Sequence, residues 1–405
     1  MKFQLANPVE FLHRVFLLDR DDMTRSGIYG IILAGFTLAL CQPAGAEGLL
    51  AIVNPAENAR ATDNLDITVN GQYFAATDYT SVRHFSDDWR GTYTPRDGKN
   101  LAVSFARADV SARQASWSVG YFYRQDILLE SNRGMTDIVH ANKTGTPVPV
   151  GRTYNLSLAV DGFVAHGVRL DKVLSWKAED ALDVTIGVGA SLMKGQRTRM
   201  GEAQGNTLST ATGYTYNANL TDADSQKTFP FMPPGEVSGA GYALDLGWRL
   251  QWQDGKRLDI AINDLLGEIR WKNLPQTTMI ANSATATYDA QGYIVFNPTV
   301  SGQNSRVDIT QRLDTKGSIQ FHAPLAYGMS ANFGTEWIKH DLLPRLGLEY
   351  ATAHGIKMIA DYDTRFRTFG LGTTWKGMYL NARTQSMNFY QSRGYGLSAG
   401  LALKF

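Results

Sequence analysis

The stretch YALDLGWRLQW, residues 242–252, alternates without interruption. Tyr242, Leu244, Leu246, Trp248, Leu250 and Trp252 share one face; Ala243, Asp245, Gly247, Arg249 and Gln251 share the other. Successive side chains of a strand point to opposite faces, so one surface is apolar and the other polar and charged. A soluble sheet can alternate too, but it buries its apolar face against a second sheet. Here the same pattern recurs in LDVTIGVGASL (182–192), LAYGMSANFGTEW (325–337) and WSVGYFYRQDI (117–127). Each run is long enough to cross a bilayer as a tilted strand. The second face holds mainly Gly, Ser, Thr, Asn, Asp and Arg, as a wet lumen requires.

Strands of this kind must close on themselves, because lipid satisfies no unpaired backbone group. The sequence therefore predicts an all-β fold, a transmembrane antiparallel β-barrel. Short turns at 177–180, 253–257, 353–355 and 376–377 contrast with long connections at 86–99, 130–153, 195–238 and 272–305. Counting from the end gives about fourteen strands, the first near 64–85 and one near 306–322. An even number returns both ends of the barrel to the same side. Trp176, Trp252, Trp271, Trp337 and Trp375 fall near strand ends and read as interface girdles. No segment beyond residue 46 has about 20 continuous apolar residues, so no helix is expected to span a membrane.

The run GIYGIILAGFTLALCQPAGA (27–46) follows Arg25 and closes on Ala44-Gly45-Ala46, the pattern of a secretory signal peptide. The domain reading is a signal peptide at 1–46, with translation starting at Met23 or with a long leading region, a segment at 47–63, and a barrel at 64–405. A lipoprotein anchor at Cys41 is disfavoured because Leu40 before it is bulky. Cys41 is the only cysteine, so the exported chain has no disulfide to stabilise it. Residues 47–63 do not alternate. They either trail into the periplasm or fold into the lumen as a short plug.

Inward positions include Asp245, Arg249, Asp259, Glu349, Lys357, Asp361, Asp363, Arg365 and Arg383. Their mixed signs suit an internal ion-pair network or a polar lining for a solute path. The outer connections carry unexpected apolar residues, Phe229, Phe231 and Met232 in FPFMPP and further ones in YIVF (293–296). These either pack over the barrel mouth or capture a hydrophobic solute. The histidines His84, His140, His166, His322, His340 and His354 have no metal-ligand spacing, and no G-x-S-x-G elbow is present. Neither catalysis, metal nor cofactor is expected. With a net charge of +1, nucleic-acid binding is not expected either.

INDLLGEIRW (262–271) and LPRLGLEYATAHGIKMIADYD (343–363) resemble strand motifs of the FadL-like and conjugative TraF-like outer-membrane proteins. Asn54-Pro55-Ala56 is similar to the Asn-Pro-Ala of the FadL-like plug, within a segment shorter than the hatch of FadL itself. The resemblance implies a fourteen-stranded barrel with Asn54, Pro55 and Ala56 as plug. From its two branches it implies either passage of hydrophobic solutes or a conjugation or envelope role. The expected function is a monomeric channel or transporter in the outer membrane of a Gram-negative bacterium, for a small and by this resemblance hydrophobic solute. A structural or interaction protein is the alternative, and a barrel-wall hydrolase the third.

The chain ends GYGLSAGLALKF, with Tyr395, Leu397, Ala399, Leu401, Leu403 and Phe405 on one face. This reads as the lipid face of a closing strand. Tyr395, Leu401, Leu403 and Phe405 also resemble the signal recognised by the outer-membrane assembly machinery, an expected partner besides lipid. Deleting Phe405 is expected to lower the amount of inserted protein more than it alters any solute preference. Normal levels of the truncated protein in isolated membranes would refute this.

Overall fold

The computed structural model describes residues 48–57 and 64–405, apart from 180, 231, 234, 289, 290, 292, 293 and 297. The expected signal peptide and residues 58–63 lie outside the described residues. The wall begins with β1 (Asp66–Thr77), helix α1 (Val82–Ser86), β2 (Lys99–Gln114), β3 (Trp117–Asn132), helix α2 (Arg133–Thr144), β4 (Thr153–Glu179) and β5 (Leu182–Thr210). It continues with β6 (Gly213–Asp224), β7 (Ser238–Trp252), β8 (Arg257–Asn282), a small hairpin of β9 (Ala286–Tyr288) and β10 (Ile294–Phe296), β11 (Val300–Arg312) and β12 (Lys316–Pro324). It ends with β13 (Met329–Ile338), β14 (Asp341–Ala351), β15 (Lys357–Asp363), β16 (Phe369–Trp375), β17 (Met378–Thr384) and β18 (Gly394–Lys404).

All pairings are antiparallel, and β18 returns to β1 with Leu397 opposite Tyr73 and Leu403 opposite Ile67. The sheet has 16 strands. However, β6 stands end to end above β7 between β5 and β8, and β11 above β12 beside β8. The closed wall thus has 14 strand positions, the architecture expected from the alternation. Its outer surface exposes Leu170, Val188, Leu192, Leu346 and Leu371, a belt too apolar for water. Trp117, Trp176 and Trp375 are exposed at the short-turn end, and Lys172 and Lys376 lie 4.4 and 5.1 Å over the rings of Trp117 and Trp375. Such pairs suit the headgroup level, where an apolar ring meets a snorkelling cation.

Four expectations need correction. The first strand ends at Thr77 rather than near 85, because Ser81 caps α1 by accepting from the His84 N–H at 3.3 Å. The connections at 195–238 and 272–305 contain the outer half of β5, all of β6, the outer part of β8, β9, β10 and the start of β11. At about 3.3 Å per residue, the 29 residues of β5 run far past a hydrocarbon layer of about 30 Å. Beyond lipid an outward apolar residue is needed only beneath α2, so the alternation that marks a membrane strand fades. The strand near 306–322 is two strands, split at 313–315. Finally, Trp271 is not a girdle residue. It shares inward parity with Asp259, is 1% exposed, and donates from Nε1 to Gln311 Oε1 at 2.8 Å.

Gly195 and Gly239 make room for that indole, since a Cβ on either would overlap the Trp271 ring. Overpacking of this kind costs about 1–3 kcal/mol. A Gly195→Leu variant is expected to convert from the compact to the unfolded gel band at lower temperature than wild type. An unchanged conversion temperature would show that the ring can move aside freely.

Candidate functional site

Residues 48–57 form neither helix nor strand and run inside the barrel. Every backbone group of such a segment needs a partner when buried, and inward side chains of the wall supply several. Glu336 on β13 accepts from the Leu49 N–H at 2.9 and 2.8 Å and from the Leu50 N–H at 2.8 Å. Lys316 on β12 donates to the Leu50 carbonyl at 3.0 Å. Asn263 on β8 both accepts from the Val53 N–H and donates to the Val53 carbonyl, each at 2.7 Å. Arg249 donates to the Glu57 carbonyl. Asn54 folds its side chain back to accept from the Ala56 N–H at 2.9 Å, a tight turn that Asn favours. That turn lies on Gly187 and Gly247, where a Cβ would overlap Pro55 and Asn54. Leu49 and Leu50 are buried in an apolar cluster with Phe74, Phe105 and Phe366. Below it, a cavity of about 120 Å3 lies against the segment, lined by Gln72, Arg107, Asp109, Arg257 and Asp259 among others.

The nine charges expected to face inward lie on the inner face or at its upper rim, and most are paired. Asp245 binds Arg169; Arg249 lies 2.5 Å from Asp259, Lys357 2.9 Å from Glu349, and Arg383 2.6 Å from Asp361. Asp363 accepts from the N–H groups of Arg365 and Phe366 at 3.1 and 2.8 Å, shaping the turn after β15. Arg365 reaches across to Asp78 at 2.6 Å.

Sequence reasoning missed the residues at the centre. Arg124 binds both oxygens of Asp264, at 2.8 and 2.5 Å, and also Asp126. Asp126 in turn binds Lys316 at 2.9 Å. Asp245 accepts from the Asp264 N–H at 2.8 Å. Arg124, Asp126 and Glu336 have inward parity in runs already recognised as strands. Their partners stand far away in sequence, so alternation could place each charge but could not pair them.

The outer face changes character above the lipid belt, towards the long-loop end. There the upper parts of β4, β5, β6 and β8 form a tall sheet whose outer side carries Leu156, Leu158, Val160, Ala203, Leu220 and Met279, on the same face as Val168 and Leu170 lower down. Helix α2 covers it with Met135, Ile138 and Val139. The helix starts at Asn132, which accepts from the Met135 N–H at 2.9 Å, and stops at Gly145, whose φ of 71° suits glycine. These two caps, around apolar residues at helical spacing, were the overlooked signal. Between helix and sheet lies an apolar pocket of about 60 Å3, lined by Met135, Ile138, Leu156, Ala203, Leu220 and Met279 among others.

Phe229 and Met232 sit in the connection between β6 and β7 and do not line this pocket; Lys227 lies 6.0 Å over the Phe229 ring. Phe231 is outside the described residues. The histidines at 84, 166 and 322 meet Asp88, Gln196 and Asn332. His140 stacks on Tyr93 with centroids 3.9 Å apart, and burial holds its pKa below the ordinary value against the pull of Asp137.

No family model matches the chain, and no curated protein sequence matches it. Among solved structures it is similar to the P. putida toluene transporter TodX, at 10% identity and a TM-score of 0.38 over 87% of this chain and 91% of that one. A TodX monoaromatic hydrocarbon channel mutant gives 10% and 0.41 over 87% and 92%. A Pseudomonas aeruginosa FadL homologue gives 11% and 0.36 over the same shares.

Replacing Glu336 by Ala strips the partner from two buried N–H groups, each costing about 1–3 kcal/mol when left unsatisfied. The segment should loosen. A cysteine placed at Val53 is then expected to react faster with a membrane-impermeant maleimide, and planar-bilayer conductance should rise. Equal reactivity and conductance with and without Glu336 would show that the segment is held by other contacts.

Proposed function

We propose that this protein is a channel of a Gram-negative outer membrane that admits small apolar solutes at its long-loop end and is held closed by residues 48–57. The apolar pocket between α2 and the tall sheet carries this reading. This part of the sheet stands beyond the lipid belt and a polar outer face would be simpler to solvate, yet Leu156, Ala203, Leu220 and Met279 line a pocket on that outer face under a dedicated helical cover. Such a pocket stays dry and rewards an apolar guest with about 0.8 kcal/mol per buried CH2. Two of its walls are the flexible side chains of Met135 and Met279, which can repack around guests of different shape. A pore for ions or sugars would need a continuous wet path. This lumen instead holds the apolar cluster around Leu49, Leu50, Phe105 and Phe366, together with the segment itself.

In this reading Asn54, Pro55 and Ala56 are the plug, and the paired charges of the wall position it. The protein works as a monomer, needs no cofactor, and is not an enzyme. Tyr395, Leu401, Leu403 and Phe405 in the closing strand serve assembly rather than transport.

An Ala203→Phe variant would fill the pocket without touching the segment. Uptake of a small aromatic probe into proteoliposomes is expected to fall about tenfold, with the compact gel band retained. Unchanged uptake by a folded variant, or no uptake by wild type, would reject the reading.

A further inference from the structure

A second cavity at the long-loop end has the opposite chemistry. It encloses about 620 Å3 between the connection after β1 and those before β16 and β18, and Asp78, Thr94, Arg96, Arg365, Arg367 and Arg393 are among its lining residues. Four of these are arginines, against a single carboxylate among the described residues of the lining. That carboxylate is already engaged: Asp78 accepts from Arg365 at 2.6 Å and from the Leu101 N–H at 2.9 Å. The floor is dry, because Phe366 packs on Phe74 with centroids 5.9 Å apart.

Arg365 and Arg367 stand on a short, well-braced turn. Asp363 and the Pro344 carbonyl fix the 364–368 turn. Arg393 is anchored by donating to the Tyr79 carbonyl and to Thr94. Burial, and the neighbouring charge of Arg367, hold the Arg393 pKa below its ordinary value, with Asp78 opposing. Arg96 and Arg367 are exposed, and Arg365 Nε is buried without a hydrogen bond. Like charges gathered in a concave site focus a positive field. Neither the closure by residues 48–57 nor the apolar pocket makes use of it.

We propose that this cavity is an oxyanion site, taking a phosphate group presented at the outer mouth. Guanidinium forks match phosphate oxygens in pairs, which a lysine cluster would not do. The bracing of the 364–368 turn and of Arg393 spares the ligand the cost of ordering them. The same phosphate chemistry is available from a free phosphorylated solute or from a phosphorylated glycolipid of the surrounding leaflet. The site shares no residue with the apolar pocket, so its failure leaves the channel reading untouched.

The test uses the full barrel in uncharged detergent, wild type and R96Q/R367Q, both checked for the compact gel band. Inorganic phosphate and pyrophosphate are titrated calorimetrically, and phosphorus carried through purification is measured per protein. If the ligand is a free solute, wild type binds pyrophosphate and the double variant binds it at least tenfold more weakly. If it is a glycolipid, titration shows nothing, but co-purified phosphorus falls in the variant. Arg367→Lys, which keeps the charge and loses the fork, should fall between; either single replacement serves if the double fails to assemble. Equal phosphate binding and equal phosphorus in wild type and variants overturns the proposal.

Discussion

The grip of Arg124 on both carboxylate oxygens of Asp264 joins β3 to β8 at the point where β8 leaves its pleat. Asp264 has a φ of 57°, a left-handed conformation that Asp tolerates better than most residues. At the same point the partners on both sides change. Towards β7 the register shifts between Leu244 and Leu246, and on the other side β12 gives way to β11. Thr315 in that junction donates to the Asp264 carbonyl at 3.1 Å, and Leu313 to Gly267 at 3.0 Å. From Asp264 the network runs one way to Asp245 and Arg169, and the other way through Asp126 to Lys316 and the Leu50 carbonyl. The next residue back, Asn263, holds Val53. Two consecutive residues therefore fix both the irregular wall and the segment inside it.

Buried ion pairs of this kind add little net stability over well-packed apolar residues. Removing one partner, however, strands a charge at about 3–5 kcal/mol. Their effect is on position. Lys316 is 1% exposed and spends its donors on Asp126 and on a backbone carbonyl of the segment. An apolar residue there would pack as well, but would leave that carbonyl unpaired. The wall is polar where an irregular backbone has to be satisfied, and apolar where a helix, already satisfied internally, covers it.

That division explains what alternation could reveal. Strands in contact with lipid must be apolar outside and were recognised from period two alone, down to the pairing of the last strand with the first. The taller parts of β5, β6 and β8 stand in water, where an outward apolar residue is needed only beneath α2, and they read as loops. The motif INDLLGEIRW drew attention to the right place through resemblance, but nothing in it announced that Asp264 breaks the strand or that Asn263 points at Val53. Trp271 shows the converse: its parity placed it inside, while its aromatic identity suggested a girdle. The inward charges could be located individually. Their pairing depends on which strands lie opposite across the lumen, and that is a property of closure rather than of any one strand.

The same reasoning bears on how residues 48–57 could leave the lumen. Withdrawing residues 48–57 would leave Glu336, Lys316, Asn263 and Arg249 facing an emptied lumen with several partners lost at once. In a dry interior that loss is prohibitive, since each group would bear its full desolvation cost. With water drawn in from the short-turn side, beside the cavity that already borders Gln72, Arg107 and Asp259, the same groups are solvated and the cost becomes modest. Leu49 and Leu50 pull the other way, because their burial with Phe74 and Phe105 is lost on any route out. The two leucines therefore make the segment stay, and the polar residues make leaving it tolerable.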